Sequence, residues 1–466
     1  MNHVRLQCVA ISLAVGLFLS LATSILQATD AKAPFQLATF SADVTPPVGH
    51  PLLANLVPPA TAVNDPLFAK GIVLLGPDGP IVLVAVDWCE IRNEAHDRWR
   101  EVLAEAAGTT PNRVLVASVH QHDAPLADLE AERILRSHKL TSHIIDLDFH
   151  EKAVRNVARA LRDSLASAVP ITHIGLGKAK ARQLASNRRY LDDNGRPRYD
   201  RMSTTHDATI RARPEGTIDP WLKTLVFYHG DQPVAALSAY ATHPMSYYGT
   251  GRISADFPGL ARRRRQLEMP EVAQIYFSGA SGNLTVGKYN DGSPANRQVL
   301  ADRLYQAMKE AWQAIQRYPL QQVEFRAVPL RLEPRGGPDF TVAGLEKKLT
   351  TSTTSKAQCL AAMGLAWRKR ADAGYRLDLP VIDFGVAQFV LLPAESYIEF
   401  QLLAQKLRPD SFVMVAGYGE CAPGYIPIER AWQEQDFNLD SWCWVAPGAE
   451  QAMGDALRAA LQVPKK

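Results

Sequence analysis

The stretch "VLVASVHQHDAP", residues 114–125, decides how the chain is read. A run of strand-forming apolar residues ends in two histidines one residue apart, then an aspartate and a proline. A strand that only fills a core has no use for that ending. Histidines at alternate positions of an extended chain point to the same side. That geometry suits a metal, or one ligand histidine with a catalytic neighbour.

The preceding residues give the stretch its place. "GIVLLG" and "PIVLVAVD" are short β-rich runs joined by "PDG", a hairpin-type turn. "NEAHDRWREVLAEAAG", residues 93–108, has helical periodicity and stops at a glycine. Strand, helix and strand in that order predict a parallel pair with a right-handed crossover. In such sheets ligands gather beyond the carboxyl ends of the strands, where His120, His122 and Asp87 fall.

The same grammar returns further on. "LKTLVFYHGDQPVAALSAYATHP" reads as two strands around "GD", with His243 closing the second. "AQIYFSGASGN" is a strand entering a glycine-rich loop, followed by a long amphipathic helix from "ANRQVL". "VAQFVLLPAES" is a strand ending near Glu395, with a helix after it, and "SFVMVAGYG" is a strand leading to Tyr425. "RPEGTIDP", residues 213–220, reads as a loop. The expected fold class is α/β: a mixed β-sheet core flanked by helices, in a single domain over residues 35–466.

Composition bounds the rest. Of 466 residues 47% are hydrophobic, and 51 Lys and Arg against 48 Asp and Glu leave a net charge of +3. This is ordinary globular matter with no nucleic-acid signature. The basic run Arg262–Arg265 reads as a salt-bridged helix face rather than an anion site. Residues 1–28 read as an export signal: basic "MNHVR", an apolar run, and small residues before "TDAK" with cleavage after Ala28. Left uncleaved, that run becomes an N-terminal membrane anchor. The expected location is therefore outside the cytoplasm, secreted or periplasmic. Cys89, Cys359, Cys421 and Cys443 are too irregularly spaced for a zinc knuckle, and no disulfide is assigned among them.

Two histidines and a glutamate, His120, His243 and Glu395, each at the C-terminal end of a strand, match the nitrogen and oxygen ligand set of catalytic zinc. Such a site uses about three protein ligands and keeps a position open for water. His122 beside them is a hydrogen-bond donor or a general acid/base. Asp87, at the end of the preceding strand, is a candidate for orienting the ligand histidines.

These segments together resemble the catalytic domain of the neutral ceramidase family. "SADVTPP" is similar to its entrance motif, "SVHQHDAP" to its T-H-T-H-S-G-P and "YATHPMSY" to its histidine–proline segment. "SADFPG" is similar to the following aspartate segment, "SNRRY" to an Asn–Arg element, "LLPAES" to P-G-E and "GYIPIERAW" to Y-I-T-T-x-E-E-Y. They occur in family order between about residues 40 and 435. The resemblance implies one Zn2+ per chain on His120, His243, Glu395 and Tyr425, with His122 beside the metal. It implies Asp256 as a further residue orienting the ligand histidines, Asn187 and Arg188 as substrate contacts, and hydrolysis of an amide bond in ceramide or a related N-acyl lipid. Expected partners are that lipid or small-molecule amide and transient contact with a membrane surface, with no nucleic acid and no protein partner.

Two departures count. The family's G-D-V-S-P-N element appears as "GNLTVG", so Asn283 replaces its aspartate and Thr285 its serine; Thr285 is the candidate catalytic hydroxyl. The family's C-terminal immunoglobulin-like domain has no counterpart in residues 433–466, which read as a loop and one helix. Both leave open an amidase or esterase acting on a non-lipid substrate, and an exported binding protein that keeps the fold. A serine hydrolase is disfavoured, because no G-x-S-x-G is present.

Overall fold

Strand-forming runs, hairpin turns and amphipathic helices recur three times along the chain, and each recurrence folds into the same module. A computed structural model describes residues 35–463. The expected export signal, residues 1–28, lies outside them. The first module has strands β1 (Phe35–Asp43), β2 (Phe68–Leu75), β3 (Ile81–Val86) and β4 (Val114–Ser118). β1 to β3 pair antiparallel, and β4 joins β3 in parallel after a crossover helix, α1 (Asn93–Ala107). A closing helix, α2 (Leu147–Ser164), packs on β1 and α1.

The second module repeats this with β5 (His173–Lys180), β6 (Trp221–His229), β7 (Gln232–Tyr240) and β8 (Ala273–Ser278). Its crossover helix is α3 (Asp256–Glu268) and its closing helix α4 (Pro294–Gln313). The third has β9 (Glu324–Leu330), β10 (Leu377–Asp383), β11 (Ala387–Leu391) and β12 (Phe412–Ala416). Its helices are α5 (Ile398–Leu407) and α6 (Ala449–Ala460). In every module the last pair is parallel because only a helical crossover returns the chain to the same end of the sheet. The segments 181–220 and 331–376 are long insertions between the first and second strands of modules two and three.

One face of each sheet points to a shared interior. Leu83 and Leu115 from the first sheet, Leu225 and Phe277 from the second, and Phe389 and Met414 from the third belong to one buried cluster. Phe227 meets Phe384 at 5.8 Å between ring centroids, and Phe277 meets Phe389 at 5.3 Å, both across sheets. The outer face of the first sheet, with Val84 and Val116, packs against Trp99 of α1 and Val157 of α2. The result is a three-sided sheet core with helices outside.

The fourth strands converge at one end of that core. Ser118 N donates to the carbonyl of Tyr418 at 2.9 Å, and Gly417 N to that of Ser278 at 2.8 Å. Ser278 Oγ closes the circuit on the carbonyl of Val119 at 2.7 Å. The carboxyl ends of all three parallel pairs therefore open at one place.

The basic run in α3 is salt-bridged: Arg262 to Asp87, Arg264 to Asp302 and Arg265 to Glu268. The four cysteines of the described residues are buried free thiols. Among the described residues no helix is long and apolar enough to cross a membrane.

Candidate metal centre

His120 follows β4, His243 follows β7 and Glu395 follows β11, so each module contributes one residue to the point where the strands converge. All three are at most 2% exposed. His120 Nε2 and His243 Nε2 face each other at 3.1 Å. Glu395 Oε2 lies 3.4 Å from the first and 3.0 Å from the second.

The tautomers follow from the backbone. His120 Nδ1 is 2.9 Å from the carbonyl of Cys89, and His243 Nδ1 is 2.7 Å from that of Ser281. A carbonyl only accepts, so each Nδ1 carries the proton and each Nε2 presents a lone pair. Two lone pairs and a carboxylate oxygen cannot satisfy one another by hydrogen bonding. Glu395 Oε2 indeed has no hydrogen-bond partner. Edges of 3.0–3.4 Å match a tetrahedron with bonds of about 2.0–2.1 Å, the zinc–nitrogen and zinc–oxygen range. The donor set fits a metal ion.

Backbone strain accompanies the site. His120 (φ +76°), Ala394 (φ +48°) and Tyr418 (φ +59°) lie in the left-handed region just beyond β4, β11 and β12. Such conformations cost roughly 1–3 kcal/mol each and persist where surrounding structure enforces them.

Tyr425 pairs with Glu395 across a short parallel bridge. Its phenol oxygen accepts a hydrogen bond from Arg188 Nη1 at 2.7 Å, and Arg188 Nη2 lies 3.4 Å from His243 Nε2. The buried guanidinium thus joins the phenol to the histidine cluster. Burial, with Arg188 adding to it, pushes the His243 imidazole down to about 4. His122 stands at the rim, its ring centroid 5.2 Å from that of His120 and 4.6 Å from that of Tyr248. Its Nδ1 is buried with no partner.

The remaining expected residues lie elsewhere. The Asp87 carboxylate is held by Arg262 at 2.7 and 2.6 Å and by the amide of Phe68. Asp256 accepts from the amides of Ser246 and Phe257 and from the Ser246 hydroxyl. Neither hydrogen-bonds to His120 or His243; the carbonyls of Cys89 and Ser281 orient those rings instead. Asn187 spends its side chain on Thr217 O and Arg189 N, shaping its own loop rather than presenting to a substrate. Thr285 Oγ1 donates to Met202 O at 2.8 Å and accepts from Gly287 N at 3.1 Å. Its hydroxyl is committed to backbone rather than to the histidines. Asn283 Oδ1 accepts from Ile398 N at the start of α5.

Sequence reasoning overlooked Tyr418 and Ser281. The Tyr418 ring stacks on His120, and its hydroxyl is 2.7 Å from Ser281 Oγ and 3.5 Å from His243 Nδ1. The "GYG" that closes the β12 segment was the available signal.

No protein-family model matches the chain, and no curated protein matches it in sequence. Among solved structures, neutral ceramidase from Pseudomonas aeruginosa superposes with a TM-score of 0.65 at 17% identity, over 93% of this chain and 76% of that one. A ceramidase complexed with C2 gives 0.66 at the same identity and coverage. Three modules, one converging end and this overlay make the architecture of the chain the α/β fold of neutral ceramidase.

Proposed function

We propose that the protein is an exported, zinc-dependent hydrolase that cleaves an amide bond, with ceramide or a related N-acyl lipid as its substrate class. The observation that carries this is the meeting of His120 Nε2, His243 Nε2 and Glu395 Oε2 within 3.0–3.4 Å of one another. The likeness to neutral ceramidase supports the reaction class, and the motif correspondences support Tyr425 as a fourth ligand. The apolar run in residues 1–28 supports export.

Zinc bound by these residues supplies Lewis acidity toward an amide carbonyl and brings the pKa of water toward about 7. The carbonyls of Cys89 and Ser281 hold both imidazoles in the binding tautomer. Arg188 donates to the Tyr425 phenol and fixes a positive charge beside the histidine cluster, where it would stabilise the oxyanion formed from an amide. A preorganised donor of this kind contributes roughly 3–4 kcal/mol elsewhere. His122, with a free Nδ1 at the rim, would take a proton from the water that attacks the amide carbon and deliver it to the departing amine nitrogen as the C–N bond breaks.

The committed hydroxyl of Thr285 favours a second reading, a metal-dependent amidase or esterase whose substrate is not a lipid. Hydrolysis of a fluorescent ceramide beside short N-acyl amides and esters separates the two. Zinc analysis of wild type and His120→Ala tests both. The variant is expected to lose one equivalent of metal together with turnover, and full retention of both overturns the ligand assignment.

A further inference from the structure

A second group of metal-type side chains lies behind the first. His96 and Asp97 are on α1, and Glu420 is in the loop between β12 and Tyr425. One ligand atom of each lies within 4.8 Å of the other two. Glu420 Oε1 is fixed by the amides of Asn93 at 2.8 Å and Ala422 at 3.0 Å. Its Oε2 and His96 Nδ1 approach to 3.5 Å, yet neither has a hydrogen-bond partner. Both side chains are more than nine-tenths buried.

His96 and Glu420 line a cavity with room for a single water-sized occupant, about 20 Å3, and Asp97 stands beside them outside its wall. Pro393, two residues before Glu395, lines it as well. A buried acceptor left unsatisfied is costly, more so if it is charged. Two charged neighbours bear on the balance. Arg370 pairs with Asp97 at 2.5 Å, and Arg100 at the cavity wall pairs with Asp378 at 2.6 Å. With Arg100 offset by Asp378, two carboxylates face one guanidinium, and burial pushes Glu420 up to about 7, so a bound cation would take the place of its proton.

We propose that His96, Asp97 and Glu420 form a second divalent-cation site, of zinc type by its one-imidazole, two-carboxylate donor set. The ion would sit beside Pro393, two residues before Glu395, and brace that turn. The inference does not rest on the proposed reaction.

The test is zinc stoichiometry. Full-length protein is loaded with excess zinc sulfate, desalted and measured by elemental mass spectrometry. Wild type is expected to hold two equivalents, His120→Ala one, Glu420→Gln one, and the double variant none. Glutamine keeps an oxygen for the Asn93 and Ala422 amides, so the loop retains its anchors; His96→Gln is the second variant and is also expected to hold one. A wild-type content that Glu420→Gln or His96→Gln leaves unchanged overturns the site, whereas a single equivalent kept in His120→Ala and lost in Glu420→Gln upholds it and overturns the first centre instead.

Discussion

The ring of Tyr418 lies flat on that of His120, centroids 4.1 Å apart and planes 19° from parallel. The same residue gives its carbonyl to Ser118 and its hydroxyl to Ser281, whose own carbonyl orients His243. One residue from the third module therefore positions His120 of the first and His243 of the second. Outer partners of metal ligands typically govern affinity by 10–100-fold. Tyr418→Ala is expected to weaken zinc binding by that factor in chelator competition, and Tyr418→Phe, which keeps the stack, by much less. Equal affinity for Ala and wild type shows that the stack is incidental.

Asp87 and Arg262 tie β3 to α3, and so the first module to the second, through a buried bidentate pair. Removing one partner of such a pair leaves an uncompensated charge and costs about 3–5 kcal/mol. Arg262→Met is expected to be destabilised by that amount in denaturant unfolding. Arg262→Met with Asp87→Leu should recover much of it. Turnover per folded molecule should be unchanged in both, since Asp87 touches no metal ligand. A selective loss of turnover returns Asp87 to the catalytic machinery.

Much of the fold was legible because its elements are local. Periodicity and turn residues mark β3, α1 and β4, and again β7, β8, β11 and β12. Their carboxyl ends pointed to His120, His243 and Glu395 before any coordinates. The threefold module was not legible. Equivalent positions are filled by unlike residues: Asp87, Ala241 and Leu392 each follow the third strand of a module. What repeats is pairing direction, which a one-dimensional pattern does not carry. The orienting groups were invisible for a related reason. Every residue has a carbonyl, so nothing in the sequence distinguishes those of Cys89 and Ser281. A carboxylate at a strand end looks the same whether it faces a histidine or, like Asp87, an arginine.

Acid should unfold the first module through two histidines remote from the metal centre. His50 and His150 are 3% and 1% exposed, and burial pushes each down to about 4. In the unfolded chain each titrates near 6.5. Below 6.5 the unfolded state binds more protons, so stability falls as pH drops and is fully present only above that value. By pH 5 the loss is about 2 kcal/mol per imidazole. Denaturant midpoints at pH 7.5 and 5.0 measure it, and His150→Gln should roughly halve the difference. A midpoint that does not move over this range contradicts neutral burial of the two rings.

Thr285 decides between a structural and a chemical hydroxyl. Its Oγ1 bridges Met202 O and Gly287 N, tying the "GNLTVG" loop to the segment that follows Arg201. Serine makes the same two bonds, so Thr285→Ser should change stability by less than about 1 kcal/mol. Valine makes neither, and leaves a buried carbonyl and amide unpaired at a cost of about 1–3 kcal/mol. If the hydroxyl is structural, Thr285→Val loses that stability while kcat on the best substrate falls no more than severalfold. If it is chemical, turnover collapses at unchanged zinc content. A rise in ceramide hydrolysis in Thr285→Ser would further mean that the β-methyl, packed where the family carries serine, excludes the lipid and that the natural amide is smaller.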